Sequence, residues 1–412
     1  MLSDRLSSLD RRLAKVGLPL LLSNAVLLGL PILARAYLGP IDYATWALLM
    51  TVVVSAFLFD LGGTAYIQSA GYGVWVGRRL YAQSVGLATL GVVVVTAAAL
   101  LTSLLLRDSL SITTEPVEFV VLLCATGFGA GVRSTFSVML TRLQVSEEFT
   151  LRTRLIVVQS FAQVAIAWAA LALGAGLWAL PGSLVLSVAP LLAVAHHALA
   201  RRRSTLPMAR PPTRVLGFAS VRTLSAVLAT TSSQADRWVL AAIAPATFLT
   251  NYDLALRIAS LPLSLVITLF GGLIAEAADV RGGAAHRRLV RASTKRLGAI
   301  LTVSSGLGFG VVLLALSFGA PIVTSELTLI LAKALVWQGA NALTAPTTFT
   351  FIGVGKPANE FRYTVPVVLC TAIGWAAAAS LAEPWIVPVA TLISVSTWSV
   401  WFVYYGTRVA TY

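Results

Sequence analysis

Twelve apolar stretches, each about 20 residues or longer, follow one another along this chain of 412 residues. A helix needs about 20 apolar residues to cross the hydrocarbon core of a bilayer, so stretches of this length are typical of membrane spans. Charged residues make up only 11% of the chain, whereas soluble domains carry about 25%. The pattern predicts an all-α polytopic membrane protein with spans at residues 16–38, 43–69, 82–106, 117–141, 153–174, 177–199, 216–243, 248–275, 297–318, 323–352, 363–381 and 385–405.

The distribution of basic residues predicts how these spans are oriented. Alternate connections are short and poor in basic residues. Five of them, 39–42, 175–176, 244–247, 319–322 and 382–384, contain no lysine or arginine, and the sixth, 107–116, contains Arg107 alone. Every other connection is basic, so the positive-inside rule places those loops and both termini in the cytoplasm. The net charge of +14 is spread over all of these loops, which excludes a nucleic-acid-binding face.

The segment before the first span has its own pattern. Leu2, Leu6, Leu9 and Leu13 recur at helical spacing beside basic residues, which predicts an amphipathic surface helix at 1–15. A basic tail without structure is the alternative. The 23 residues of 16–38 exceed the 7–15 apolar residues of a signal peptide, so we interpret them as a retained span.

Two segments about half a chain apart resemble each other. Residues 38–49 read LGPIDYATWALL and residues 243–255 read IAPATFLTNYDLA, with Pro40 and Pro245 separated by 205 positions. Six spans precede and six follow the basic linker 201–215, so the halves 16–200 and 216–412 are predicted to be parallel six-helix bundles. Parallel repeats are typical of secondary transporters, although a duplicated scaffold protein has the same symmetry.

Charged residues inside the predicted spans are candidate site residues. A charge at mid-bilayer costs roughly 2.5–3.5 kcal/mol, so each such residue must face protein, water or a partner. Deep cations outnumber deep acids, and the arginine fork suits phosphate, which predicts a cationic cavity for a phosphate-bearing substrate. Its candidate ligands are Arg35, Arg133, Arg237, Arg257 and Lys333, with Asn24 as a hydrogen-bonding residue. The alternative for Arg35, Arg237 and Arg222 is snorkelling to an interface.

The intramembrane acids are candidates for coupling or ion pairing. Asp253 and Arg257 are four residues apart on one helix face, where they can pair and neutralise each other. Asp236 directly precedes Arg237 and can do the same. Asp60 has no neighbouring cation in sequence, so it is a candidate for taking up and releasing a coupling proton; pairing with one of the arginines is the alternative.

The sequence contains no recognisable enzyme or cofactor motif. No Walker sequence, H-E-x-x-H or nucleophile elbow occurs, and the two cysteines have no metal-binding spacing. The Gly-x-x-x-Gly spacings at 127–131 and 306–310 lie inside spans and indicate close helix packing. We therefore predict a protein that is not an enzyme and that has no metal or cofactor.

Three segments carry a resemblance to a known family: LARAYLGPIDYATWALL (33–49), FDLGGTAYIQ (59–68) and TSSQADRWVLAAIAPATFLTNYDLALRIASLP (231–262). They resemble Wzx-type polysaccharide (O-antigen) flippases of the multidrug/oligosaccharidyl-lipid/polysaccharide (MOP) exporter superfamily. The resemblance implies a MATE-like fold and alternating access in the bacterial cytoplasmic membrane, driven in some relatives by a proton or sodium gradient. The implied substrate is an undecaprenyl-diphosphate-linked oligosaccharide, with Arg35, Asp60, Asp236, Arg237 and Arg257 at the family's charged positions.

Other functions are compatible with parts of the pattern. A MATE-like drug/cation antiporter requires acids to dominate the cavity, which the cation excess disfavours. A membrane enzyme acting on lipid-linked sugars requires a large outer loop, and the longest outer connection here, 107–116, has about ten residues. A scaffold protein without transport activity is a further alternative. The partners implied are membrane lipids, glycosyltransferases and a glycan polymerase.

Overall fold

The computed structural model describes residues 22–58, 63–68, 73–106, 115–202, 207–208, 215–261, 288–298, 324–353 and 356–409, together with the single positions 19, 263, 266 and 301. Within these ranges the chain is helical apart from short connections. Their backbone contains no β-strand, only an isolated parallel bridge between Trp75 and Met208. The predicted surface helix 1–15 and Asp60 lie outside the described residues.

Helical residues occur in each of the twelve predicted spans. The helices are α1 (Leu22–Tyr37), α2 (Pro40–Leu58), α3 (Gly63–Gln68), α4 (Arg78–Leu105), α5 (Pro116–Val145), α6 (Phe149–Ala172), α7 (Ala179–Arg202), α8 (Val215–Ile243), α9 (Ala246–Ala259), α10 (Ser325–Leu343), α11 (Ala345–Gly353), α12 (Phe361–Leu381) and α13 (Ile386–Val409). Residues 288–298 are also helical. In the described part of the chain, six helices (α4 to α7, α12 and α13) are long and apolar enough to cross a membrane, and α1 and α2 are shorter apolar helices.

Local sequence explains where several helices begin and end. Pro116 occupies the first turn of α5, where its missing N–H costs nothing. Glu118 in that first turn and Arg142 in the last turn both match the helix dipole. At the start of α10, the hydroxyl of Thr324 accepts a hydrogen bond from the backbone N–H of Leu327 at 3.1 Å, which satisfies one of the unpaired donors of the first turn.

Two predicted spans are each divided into two helices. The span 323–352 breaks at Thr344 between α10 and α11, because Pro346 cannot donate a backbone hydrogen bond and is accommodated only in a first turn. The span 43–69 contains α2 and then α3, which begins at Gly63. Gly63 allows close packing on α4, since a Cβ there would lie 2.7 Å from the carbonyl oxygen of Ser84.

Backbone contacts divide the chain into two compact units. The first contains residues 1–38, 52–102 and 114–223, and the second contains 39–51, 103–113 and 224–412. The unit boundary falls within α2, whose first residues pack in the second unit. The six-helix bundles at 16–200 and 216–412 stay a prediction, as does the linker 201–215.

The first unit is built around α7, which packs against α5 and α6. Its core includes Phe136 and Leu143 of α5 and Val188 of α7. Helices α4 and α5 approach closely at Gly127, where a Cβ would lie 2.8 Å from the Cγ2 of Thr96. Small residues at such positions are typical of helix packing within membranes.

In the second unit, α10 packs against α9 and α13, and α12 packs against α13. The core combines Tyr252 of α9 and Trp337 of α10 with Phe402 of α13. At Gly406 of α13 a Cβ would overlap the Cγ2 of Thr347 in α11. The same core cluster includes Leu240 of α8 and Leu254 of α9, and these two helices carry the buried charged residues Asp236, Arg237 and Asp253.

Candidate functional site

Four charged side chains of α8 and α9 form one buried group, here called the charge network: Asp236, Arg237, Asp253 and Arg257. The Nε of Arg237 donates to Oδ1 of Asp253 at 2.7 Å, and the Nε of Arg257 donates to Oδ2 of Asp253 at 2.6 Å. The Nη1 of Arg237 lies 3.3 Å from Oδ1 of Asp236. Asp253 is fully buried, and Asp236 and Arg237 are 2% and 5% exposed. Asp253 is therefore an acceptor shared by two arginines.

Two buried tyrosines complete the hydrogen bonding of the acids. The hydroxyl of Tyr43 in α2 donates to Oδ2 of Asp253 at 3.2 Å. The hydroxyl of Tyr252 donates to Oδ2 of Asp236 at 2.6 Å, and the backbone N–H of Arg237 donates to Oδ1 of Asp236 at 2.8 Å. Each of the four carboxylate oxygens thus accepts at least one hydrogen bond. This arrangement offsets the large desolvation cost of burying charge.

The local sequence places the two acids at the same level. Asp236 lies seven residues before the end of α8 at Ile243, and Asp253 lies seven residues after the start of α9 at Ala246. A rise of about 1.5 Å per residue places both about 10 Å from the turn. Because the two helices run in opposite directions from this turn, charges at equal distances face each other. The spacing of four between Asp253 and Arg257 adds the intrahelical pair.

Among the described residues, Arg257 is the most exposed member of the charge network and has the most N–H groups without a partner. The two acids and two arginines have a formal sum of zero, so the network is not cationic overall. The Nη1 and Nη2 groups of Arg257 nevertheless make no hydrogen bond within the described part of the chain, and its side chain is 13% exposed. A guanidinium has five N–H donors, of which Asp253 uses one. The remaining four can hold an anion in the bidentate geometry that arginine forms with phosphate.

Three further candidate ligands lie in the first unit. The Nη1 of Arg133 in α5 is 3.5 Å from Oε1 of Gln163, which also accepts from Gln159 at 2.8 Å. Arg35 and Asn24 in α1 are half-buried, and their side chains make no hydrogen bond or ion pair with any described residue. The structure therefore joins Arg133 to the polar residues of α6 and leaves the polar groups of Arg35 and Asn24 open.

Lys333 differs in position from the other cations. Its Nζ lies 4.6 Å from the centre of the Trp385 ring, and Trp385 immediately precedes the first residue of α13. No carboxylate of the described residues forms an ion pair with Lys333. Its ammonium therefore lies at the level of a helix end, next to an aromatic face, which is typical of a snorkelling lysine at the membrane interface. Its role as a substrate ligand stays a prediction.

Two predicted positions cannot be placed. Asp60, the candidate coupling acid, and the side chain of Arg222 lie outside the described residues. The described part of the chain also contains no group of three or more His, Cys, Asp or Glu residues that could hold a metal ion.

The sequence did not identify Tyr43 and Tyr252 as parts of the site. Both tyrosines lie in the two similar segments, 38–49 and 243–255, which we interpreted only as an internal repeat. A usable signal was present, because a tyrosine inside an apolar span needs a partner for its hydroxyl, and an intramembrane carboxylate is the strongest available acceptor.

Comparisons with known proteins identify the fold. No protein-family model matches the sequence, and no curated protein matches it. A MOP superfamily transporter from Pyrococcus furiosus superposes with a TM-score of 0.65 at 15% identity, over 97% of this chain and 95% of that one. The MATE transporter VcmN from Vibrio cholerae has a TM-score of 0.65 at 14% identity, over 98% of this chain and 97% of that one.

A multidrug resistance MATE family transporter of the MOP superfamily, in an inward-facing conformation, has a TM-score of 0.58 at 14% identity, over 94% of this chain and 93% of that one. At these identities the similarity shows the fold alone. The predicted fold class is thereby confirmed: the chain is an all-α membrane protein with the twelve-helix, MATE-like fold of the MOP superfamily.

Proposed function

We propose that this protein is a flippase for lipid-linked oligosaccharides. It moves undecaprenyl-diphosphate-linked glycan from the cytoplasmic to the outer leaflet of the bacterial cytoplasmic membrane by alternating access, with both termini in the cytoplasm. The MOP fold supports transport rather than catalysis. The resemblance of residues 33–49, 59–68 and 231–262 to Wzx-type flippases supports the substrate class.

The open donors of Arg257 carry the proposal. A diphosphate presents several anionic oxygens, and a guanidinium can bind two of them at once. Among the described residues, Asp253 alone holds Arg257, through its Nε at 2.6 Å, so the Nη1 and Nη2 groups are pre-oriented and make no hydrogen bond to another described residue. Being only 13% exposed, the side chain binds an anion in surroundings of low dielectric constant, where a charge-assisted hydrogen bond is strong.

Polar residues of the first unit are further proposed ligands of the headgroup. Arg35, Asn24 and Arg133 supply further donors for phosphate and sugar oxygens, while the polyprenyl chain stays in the membrane lipid. Asp60 is the proposed coupling acid for a proton or sodium gradient. Glycosyltransferases that assemble the glycan and a polymerase that extends it are the expected partners.

A MATE-like drug/cation antiporter is the second candidate. Two observations favour it: the charge network is neutral and contains two carboxylates, and several matching structures are MATE transporters. The Pyrococcus furiosus match, however, is described as a MOP superfamily transporter in which reverse polarity of the binding pocket suggests a different function. One fold therefore accommodates binding sites of opposite polarity, and the substrate must be tested directly.

A leaflet assay separates the candidates. The purified protein is reconstituted into vesicles that contain a fluorescent polyprenyl-diphosphate-linked disaccharide, and a membrane-impermeant quencher reports the fraction exposed outside. We expect accelerated exchange of this lipid and no uptake of a fluorescent organic cation. Loss of one charge-assisted contact of about 1.5–3 kcal/mol predicts that Arg257→Ala weakens headgroup binding by about 10- to 100-fold.

Two variants serve as controls. Arg257→Lys keeps the charge and removes the fork, so it should recover only part of the activity. Arg408→Ala removes an exposed arginine from the last turn of α13, which lies over Tyr404, and should flip the lipid at the wild-type rate. Unchanged flipping in Arg257→Ala would reject the site, and uptake of the organic cation without lipid exchange would establish the antiporter instead. Absence of both activities would favour a scaffold.

A further inference from the structure

The first part of α2 is hydrogen-bonded to α8 and α9 at three levels. The bonds run from Tyr43 OH to Asp253 Oδ2 at 3.2 Å, from Thr250 Oγ1 to the Pro40 carbonyl at 3.1 Å, and from Trp238 Nε1 to Thr51 Oγ1 at 3.1 Å. They extend over the first twelve residues of α2, from Pro40 to Thr51. We call these three bonds the outer latch, because the turns that precede α2 and α9 are the short neutral connections predicted to lie outside.

Apolar contacts accompany the latch. Ala44 and Leu48 of α2 belong to the same core cluster as Leu240 of α8 and as Phe248 and Tyr252 of α9. Ala44 is 5% exposed and Leu48 is 1% exposed. Residues 39–51 therefore pack with the second unit, while residues 52–102 belong to the first. All three bonds of the outer latch therefore lie within the second unit, and only the bond to Asp253 ends on a charged group.

We propose that the outer latch is the gate that closes the outer side, and that Asp253 couples it to headgroup binding at Arg257; the coupling rests on the proposed function. The sequence repeat assigns α2 to the first bundle and α8 and α9 to the second. In a two-bundle transporter, opening to the outside separates the outer ends of the bundles. The outer latch must then break.

The chemistry of Asp253 supplies the coupling. Its Oδ2 accepts from both Arg257, at 2.6 Å, and Tyr43, at 3.2 Å. A diphosphate on the free side of Arg257 competes for that guanidinium and repels the carboxylate. The buried Asp253 then loses part of its neutralisation, a condition that is costly without water. Opening of the outer latch admits water to Asp253, so binding of the anionic headgroup favours the outward-open state over the latched one.

The experiment measures opening directly. Cys124 and Cys370, both exposed and free, are replaced by alanine, and Ala44→Cys places a reporter under the outer latch. The rate at which a membrane-impermeant maleimide labels this cysteine from outside intact cells reports the open population. Tyr43→Phe removes a hydrogen bond to a carboxylate and should raise the rate about tenfold. Thr250→Val removes a neutral bond and should raise it about fivefold.

A matched control removes the hydroxyl of another buried tyrosine, Tyr363, which lies outside the latch. Tyr363 donates to Asn341 at 2.9 Å and contacts Ser399 in the same unit, so Tyr363→Phe should leave the labelling rate unchanged. Equal rates in Tyr43→Phe, Thr250→Val and the reporter parent would overturn the latch, and so would an equal rise in Tyr363→Phe.

The coupling is tested in vesicles with and without polyprenyl diphosphate, and polyprenyl monophosphate is the charge control. The diphosphate lipid should increase labelling of the reporter in the wild-type background, whereas Arg257→Ala should start from a higher rate and not respond. An equal response in both backgrounds would overturn the coupling through Arg257. Increased labelling in Tyr43→Phe together with no lipid exchange in the leaflet assay would support the latch and reject the substrate class alone.

Discussion

Asp253→Asn is the substitution that most directly tests the charge network. The side chain keeps its size, but one carboxylate oxygen becomes an NH2 group. Arg237, Arg257 and Tyr43 all donate to Asp253. After the substitution these three donors meet one amide oxygen, which accepts, and one amide NH2 group, which donates. The formal charge of the network changes from zero to +1 in a fully buried position.

The expected loss of stability follows from the contacts. Two charge-assisted hydrogen bonds, at 2.7 and 2.6 Å, are weakened or lost, each worth about 1.5–3 kcal/mol. Removing one partner of a buried ion pair costs about 3–5 kcal/mol, because the other charge is left uncompensated. Both considerations predict that Asp253→Asn destabilises the protein by about 4 kcal/mol. Adding Arg257→Met restores a neutral network and should recover at least about 1 kcal/mol.

The assay is unfolding of the purified protein in detergent, followed by the loss of helical circular dichroism. Asp42→Asn is the matched control, since Asp42 is exposed in the first turn of α2 and contributes about 0.3–1 kcal/mol through the helix dipole. Equal unfolding midpoints for Asp253→Asn and Asp42→Asn would refute the ion-pair reasoning. Strict additivity of Asp253→Asn with Arg257→Met would show that the two side chains are not energetically coupled.

Three further predictions concern packing, capping and topology. Gly406→Ala should lower the unfolding midpoint, because its Cβ would overlap Thr347 Cγ2 and overpacking costs about 1–3 kcal/mol. Gly339→Ala is the control, since its Cβ would have no atom within 4 Å, and equal midpoints for the two variants would contradict the contact. Thr324→Ala should cost about 1 kcal/mol by removing the cap of α10. Thr328→Ala is the control, and an unfolding midpoint no higher than that of Thr324→Ala would argue against capping. A fluorescent protein fused after residue 412 should fluoresce and alkaline phosphatase inserted at 382–384 should be active; the reverse result would invert the predicted orientation.

More of the fold than of the site could be predicted from the sequence. The twelve spans were predicted from hydropathy alone, and the solved structures confirm the fold class. The breaks within two of these spans were missed, because an apolar run does not show where the backbone stops being helical. Only the structure shows two separate helices on the two sides of Thr344, with Pro346 in the first turn of α11.

Within the site, the separation of the partners in sequence decided what could be predicted. The pair between Asp253 and Arg257 was visible because it spans one helical turn. The bond from Tyr43 to Asp253 joins residues 210 positions apart, and no local pattern indicates it. The same limit applies to Lys333, whose depth along its helix suggested a buried cation, whereas its side chain reaches Trp385 at a helix end.

The amino-acid sequence was enough to predict an all-α membrane protein, because a bilayer requires every backbone polar group to be satisfied within its own helix. The orientation of its loops stays a prediction, which rests on the tendency of basic residues to remain on the cytoplasmic side. The three-dimensional packing was needed to show which of the intramembrane charges neutralise one another and which keep donors for a ligand. Ion pairing depends on distances of a few ångströms between helices, and the packing of α2, α8 and α9 sets those distances.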